Sequence, residues 1–161
     1  MKVYIKNKAV SIGGSSEVYN ENQEIIYNVK GKLFSPTKKK RIYSKEGKLL
    51  YTIRNRWFNF FANKTFVYDA EKTKVATIKK GKLSFNANYK IEDCVDDMQI
   101  VGKIFSRESK IMRNGKQVGV ITREFSIIAD SFCLEAEEND IEFLIALVIA
   151  FDNIKDKDRR D

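Results

Sequence analysis

A seven-residue pattern recurs along this chain, and a fixed period restricts the architecture before any single strand is assigned. The clearest copies are Val29-Lys30-Gly31-Lys32-Leu33-Phe34-Ser35 and Ile100-Val101-Gly102-Lys103-Ile104-Phe105-Ser106. Aligned with them are Ile5 to Ser11, Ile53 to Asn59, Val120 to Ser126 and, with one inserted residue, Ile78 to Ser84. About ten residues after each copy comes a second strand-like patch: Val18-Tyr19, Ile42-Tyr43, Phe66-Val67-Tyr68, Tyr89-Lys90-Ile91, Ile111-Met112 and Phe132-Cys133-Leu134. Turn chemistry closes most units. Asn114-Gly115 is the strongest hairpin signal, because a type I′ turn needs positive φ at both central residues, and Glu46-Gly47 and Asn20 to Asn22 are looser versions. Six two-strand units read as a meander of twelve strands. A sheet that long curls, and closing it removes edges that would otherwise pair with other chains.

The last segment breaks the pattern. Phe143 to Phe151 contains no polar residue, Asn139 and Asp140 are good N-cap types, and Lys155 and Lys157 suit a last turn. The spacing predicts one helix over residues 140–154, followed by a charged tail over 156–161. A helix apolar on every side must be enclosed by protein or lipid, and this one has about half of the roughly 20 residues that span a bilayer. An eight-stranded barrel is filled by side chains, whereas a wider one has room for a helix about 10 to 12 Å across. The prediction is a mainly β, closed twelve-stranded antiparallel barrel of six repeats around one C-terminal helix, a single domain over 1–155.

The stretch from Asp97 to Ile154 resembles the C-terminal half of the LURP-one-related family, whose fold is shared with tubby C-terminal domains and phospholipid scramblases. The resemblance rests on Ile100-Val101-Gly102-Lys103, on Asn114-Gly115-Lys116 with Val118-Gly119, on Asp130 with Leu134-Glu135, and on Leu144 to Asp152. The helix ending in Ala150, Phe151 and Asp152 is the most specific of these, and Lys30 to Ser35 and Ile53 to Asn59 are similar to the family's opening strands. It implies a twelve-stranded barrel around a hydrophobic helix and brings no activity: the tubby branch binds phosphoinositides and the scramblase branch is associated with lipid movement.

The chain has no histidine, which removes the commonest general base at neutral pH and every Ser-His or Cys-His nucleophile pair, so no enzyme and no cofactor is expected. Its two cysteines, Cys94 and Cys133, have no metal-ligand spacing. Acidic neighbours should raise the Cys94 pKa, and Cys133 sits in a strand-like run. Met1 to Val10 lacks the apolar run of a signal peptide, which with the free cysteines reads as a cytoplasmic protein without a transmembrane span, peripheral to a membrane at most. Glu92, Asp93, Asp96 and Asp97 share one loop that admits either a hard cation or plain solvation.

A formal charge of +8 invites an acidic partner. Lys6 and Lys8, Lys30 and Lys32, Arg54 and Arg56, and Lys80 and Lys82 are spaced by two, so each pair should share one face of its strand at an equivalent height on the barrel exterior. Lys38, Lys39, Lys40 and Arg41 would extend this belt at one hairpin, with Tyr43 and Trp57 nearby. The plainer reading of the belt is a solvated wall whose lysines discourage edge pairing. As a site it suits an anionic membrane surface, a phosphoinositide headgroup or a peptide, and the alternative is a nucleic-acid backbone.

Overall fold

A computed structural model of the chain describes residues 1–7, 14–32, 34–57, 64–80, 89–102, 108–124 and 131–158. The strands are β1 (Lys2–Asn7), β2 (Ser16–Tyr19), β3 (Ile25–Gly31), β4 (Lys40–Ser44), β5 (Leu49–Asn55), β6 (Lys64–Tyr68), β7 (Lys74–Lys80), β8 (Tyr89–Glu92), β9 (Met98–Val101), β10 (Glu108–Arg113), β11 (Lys116–Glu124) and β12 (Ser131–Ala136). Each pairs antiparallel with its neighbours in sequence, and β1 pairs with β12 (Val3 opposite Leu134, Ile5 opposite Phe132) to close the barrel.

The predicted barrel and its helix are both present. α1 (Ile141–Asp158) follows a 3-10 turn over Glu138–Asp140 and lies inside the barrel, with Leu144, Ile145, Ala146, Leu147, Val148 and Ala150 fully buried. α1 runs one turn beyond the expected end, and Asp140 is engaged by Arg113, whose Nη1 donates to both its carboxylate oxygens at 2.9 Å. Period-2 alternation points Val18, Val29, Ile42, Ile53, Val67, Ile78, Ile100 and Ile111 at the helix and leaves Lys30, Arg41, Arg54, Lys90 and Lys110 outside. Charged outside and apolar inside is the reverse of a barrel that spans lipid, and among the described residues no helix is long and apolar enough to cross a membrane. β11 comes close to the helix because Gly119 faces it: a Cβ there would stand 3.2 Å from Leu144 Cδ1.

The six sequence copies begin in β1, β3, β5, β7, β9 and β11, with one correction. In the last copy Ile121 faces the core, opposite Leu134, while Val120 pairs with Glu135 on the outer face, so that copy is one residue out of register. β3 stops at Gly31 and β9 at Val101, whereas β11 runs on to Glu124, and most of the second half of the pattern lies outside the described residues.

The barrel has two unlike ends. At the end where α1 starts, Tyr27 donates its hydroxyl to Glu142 at 3.1 Å and the tight turns lie. Asn114 and Gly115 both have positive φ (50° and 76°), as the type I′ signal requires. At the end where α1 finishes, the apolar core gives way to buried Ser16, Lys40, Asn55, Thr65, Asp152 and Asn153. Asn153 Nδ2 donates to Lys38 O at 2.9 Å and to Asn55 Oδ1 at 3.2 Å, and Thr65 Oγ1 donates to the same Asn55 oxygen at 2.6 Å.

Both cysteines are free thiols. Cys133 is buried, and Cys94 is half-buried with its thiol donating to Val75 O at 3.3 Å. Burial first, then the carboxylates of Asp93 and Asp96, push the Cys94 thiol up to about 11. The thiolate is therefore scarce at mildly alkaline pH, and the native protein should react slowly with a thiol reagent while the denatured chain titrates two thiols. Fast native labelling, or a mass two hydrogens short that reductant restores, would contradict this.

Candidate functional site

Three consecutive units of the barrel wall are built alike. Lys6 on β1 lies over the Tyr19 ring of β2 at 4.7 Å, Lys30 on β3 over Tyr43 of β4 at 5.2 Å, and Arg54 on β5 over Tyr68 of β6 at 4.7 Å. In each unit the strand pairing shifts by a bulge just before the tyrosine, at Val18/Tyr19, Ile42/Tyr43 and Val67/Tyr68. A five-residue turn follows, in which the first side chain (Asn20 Oδ1, Ser44 Oγ, Asp69 Oδ1) accepts from the backbone N–H four residues on at 2.9, 3.3 and 2.7 Å. The fourth residue of each turn has positive φ: Gln23, Gly47 and Lys72. Arg54 also donates from Nη2 to the Tyr68 hydroxyl at 2.8 Å. An exposed cation over an aromatic face is worth about 0.5 to 1 kcal/mol, which biases each side chain toward the wall.

Between these pairs the wall is crowded with positive charge. Arg41 stands directly beside Lys30 in the register, and the connection from β3 to β4 folds back on itself: Lys32 N donates to Lys39 O at 2.9 Å and Lys39 N to Ser35 Oγ at 3.1 Å. Asn55 N donates to Thr37 O at 2.7 Å, which stitches this connection to the end of β5. Partial burial first, then the charges of Arg41, Lys32 and Arg54, hold the Lys39 amine below its usual range. Between Glu24 and Asp69 the chain contains one acidic residue, Glu46, and it sits in the turn at the other end of the barrel. The basic face is bounded by compensated cations: Lys79 meets Glu92 at 3.6 Å on β7 and β8, and Lys2 meets Glu135 at 2.8 Å on β1 and β12.

Of the predicted belt, Lys6, Lys30, Lys32, Arg41, Arg54 and Arg56 are exposed, and Lys38 and Lys39 are half-buried. Lys40 does not belong to the exterior. It is buried, with Nζ 3.9 Å from Asp152 Oδ2 on α1, because it alternates with exposed Arg41 and so faces inward. Lys32 and Arg56 lie just past the ends of their strands. In the fourth unit the residue after inward-facing Ile78 is Lys79, which takes the place expected of Lys80. Lys8, Lys82 and the side chain of Lys80 lie outside the described residues. Sequence reasoning missed Tyr19 and Tyr68; the common offset of about 13 residues from cation to tyrosine, seen as Lys6–Tyr19, Lys30–Tyr43 and Arg54–Tyr68, was the signal that would have found them.

The acidic loop does not converge. Asp93 accepts from Thr77 at 2.6 Å and pairs with Lys74 at 2.9 Å, Asp96 meets Asn114 and Arg113, and Glu92 turns to Lys79. The Asp93 carboxyl is held below its usual range, first by Thr77 and then by Lys74. Inside the barrel, the crevice lined by Ile5, Ser16, Lys40, Phe132, Val148, Ile149 and Asp152 is too small for a water molecule, so that part of the interior is core.

The family model described as LURP-one-related matches residues 1–152, which include every described strand and most of α1. The chain belongs to the LURP-one-related family. A solved relative in fold is an Arabidopsis thaliana protein known from an X-ray structure, with a TM-score of 0.65 and 16% sequence identity, covering 96% of this chain and 91% of that one. At that identity the likeness concerns the fold alone. No curated protein matches the chain. In this LURP-one-related chain the Ala150-Phe151-Asp152 step has a physical role: it brings Asp152 to Lys40, and the next residue, Asn153, pins the carbonyl of Lys38.

Proposed function

We propose that this chain is a non-catalytic module that binds anionic phospholipid headgroups on the outer wall of β3 to β6. The observation that supports this reading is the crowd of Lys30, Lys32, Lys39, Arg41, Arg54 and Arg56 with no acidic residue among them. Like charges held together repel, and a phosphate placed between them relieves that repulsion while taking hydrogen bonds from arginines suited to it. Headgroups are favoured over single-stranded nucleic acid because Tyr43 and Tyr68 are already covered by Lys30 and Arg54. Base stacking needs an open aromatic face.

The test reverses Lys30, Lys32, Arg54 and Arg56 to Glu and follows co-sedimentation with phosphatidylcholine vesicles containing phosphatidylserine or a phosphoinositide. Binding should weaken by about 1 kcal/mol, roughly fivefold, for each charge near the surface, and the loss should shrink at physiological salt. The circular dichroism spectrum should be unchanged, since exposed charges contribute little to folding. If the unaltered protein fails to sediment with any anionic vesicle at low salt, the headgroup reading is wrong, and retention of single-stranded nucleic acid in a parallel assay would replace it.

A further inference from the structure

We infer that the end of the barrel where α1 finishes is the end that meets the anionic bilayer, with Phe34 and Trp57 entering the headgroup layer and the opposite end facing away. This rests on the headgroup reading above and adds to it an orientation and an apolar contact. Loops at a water-exposed barrel end ordinarily show polar tips, yet here Phe34 is 98% exposed and Trp57 66% exposed. Phe34 lies three residues past the end of β3 and Trp57 two past the end of β5, at the same end of the barrel, and Asn55 N bonding to Thr37 O at 2.7 Å ties their segments together. Phe34 has φ 52°, a left-handed conformation that is a genuine outlier for a bulky residue, and there its ring stands clear of the core. Lys32, Lys39 and Arg56 flank the two rings in sequence or in space, which joins apolar tips to cations as surface-bound membrane elements do.

The far end supplies the second observation. Its turns carry Glu21, Glu46, Glu71, Asp93 and Asp96 beside Lys45, Lys48 and Lys72, and Glu137, Glu138 and Asp140 lead into α1, so among the described residues that end is acidic on balance while Lys32, Lys39 and Arg56 stand at the other. In the field of an anionic bilayer such a molecule turns its basic end down and its acidic end toward water. A side-on approach would leave both aromatic tips in water.

Trp57 is the chain's single tryptophan, so its fluorescence reports this contact without labelling. With vesicles of phosphatidylcholine and phosphatidylserine, its emission should shift to the blue and be quenched by lipids brominated near the headgroup end of the acyl chain. Phosphatidylcholine alone should give neither change. The double variant Phe34→Ala, Trp57→Ala should keep its circular dichroism spectrum and lose vesicle affinity by on the order of tenfold for each ring, as expected for withdrawing part of an aromatic surface from water. If the protein sediments with anionic vesicles while Trp57 is neither shifted nor quenched, the orientation is overturned and headgroup binding by the side wall stands. Equal quenching by neutral vesicles overturns the role of the charge axis. Failure to sediment at all overturns both readings.

Discussion

Replacing Leu147 by lysine should leave no folded protein at ambient temperature. Leu147 is fully buried midway along the enclosed part of α1, with Leu144, Ile145, Val148 and Ala150 equally buried around it. The barrel is closed by hydrogen-bonded strands on every side, so the only exits are along the axis. Each end is roughly 10 Å away at 1.5 Å per helical residue, beyond the reach of a lysine stem of about 6 Å. The ammonium would remain without a partner at a cost of several kcal/mol, added to the few kcal/mol lost with the leucine packing. Domains of this kind are stable by about 5 to 15 kcal/mol, so the sum consumes most or all of that margin. Leu147→Met keeps volume and apolarity and should cost less than about 1.5 kcal/mol. Circular dichroism and thermal melting read both variants. A Leu147→Lys protein that is folded and monodisperse would mean that α1 is not enclosed as described.

Asp152→Ala should be the most costly single change outside the apolar core. It removes the carboxylate facing Lys40, whose side chain is 6% exposed, and strands that ammonium in the buried layer beside Ser16. Breaking a buried ion pair from one side typically costs about 3 to 5 kcal/mol, because the surviving charge is uncompensated. Removing both charges costs far less, so Lys40→Met combined with Asp152→Leu should recover most of the loss. Urea denaturation of the two single variants and the double variant gives the three free energies needed. A single-variant loss below about 1 kcal/mol, or a double variant no better than the sum of the singles, would show that the pair does not act as one unit.

The barrel was legible because its cause is local and repeated. Alternation at Val29, Ile53 and Ile78 marks an inner face, the Asn114-Gly115 turn fixes a hairpin, and the unbroken apolar run of α1 demands enclosure. Lys40 was misread because Lys38 to Arg41 is uniformly basic, so the run contains no apolar residue to mark which side faces in; its partner Asp152 is distant in sequence and becomes a neighbour only once the barrel closes. The last copy slipped register for the opposite reason. Val120 and Ile121 are both apolar, and inward-facing Gly119 has no side chain to break the tie. The basic face was legible only in part, since charge spacing gave Lys6, Lys30 and Arg54 but not the tyrosines beneath them, which the bulges bring into place.

The pairing of β1 with β12 sets the order in which this molecule can be assembled. Val3 and Ile5 find Leu134 and Phe132 only after the ten intervening strands have left the ribosome, and α1 comes later still. Until then the growing meander presents a row of isoleucines and valines to water, with two open edges. Closure therefore has to coincide with capture of the helix, because a sealed empty barrel would leave its lining unpacked and a sealed barrel cannot admit α1 from the side. Folding with contacts this remote in sequence is slow and exposes aggregation-prone surface while it lasts.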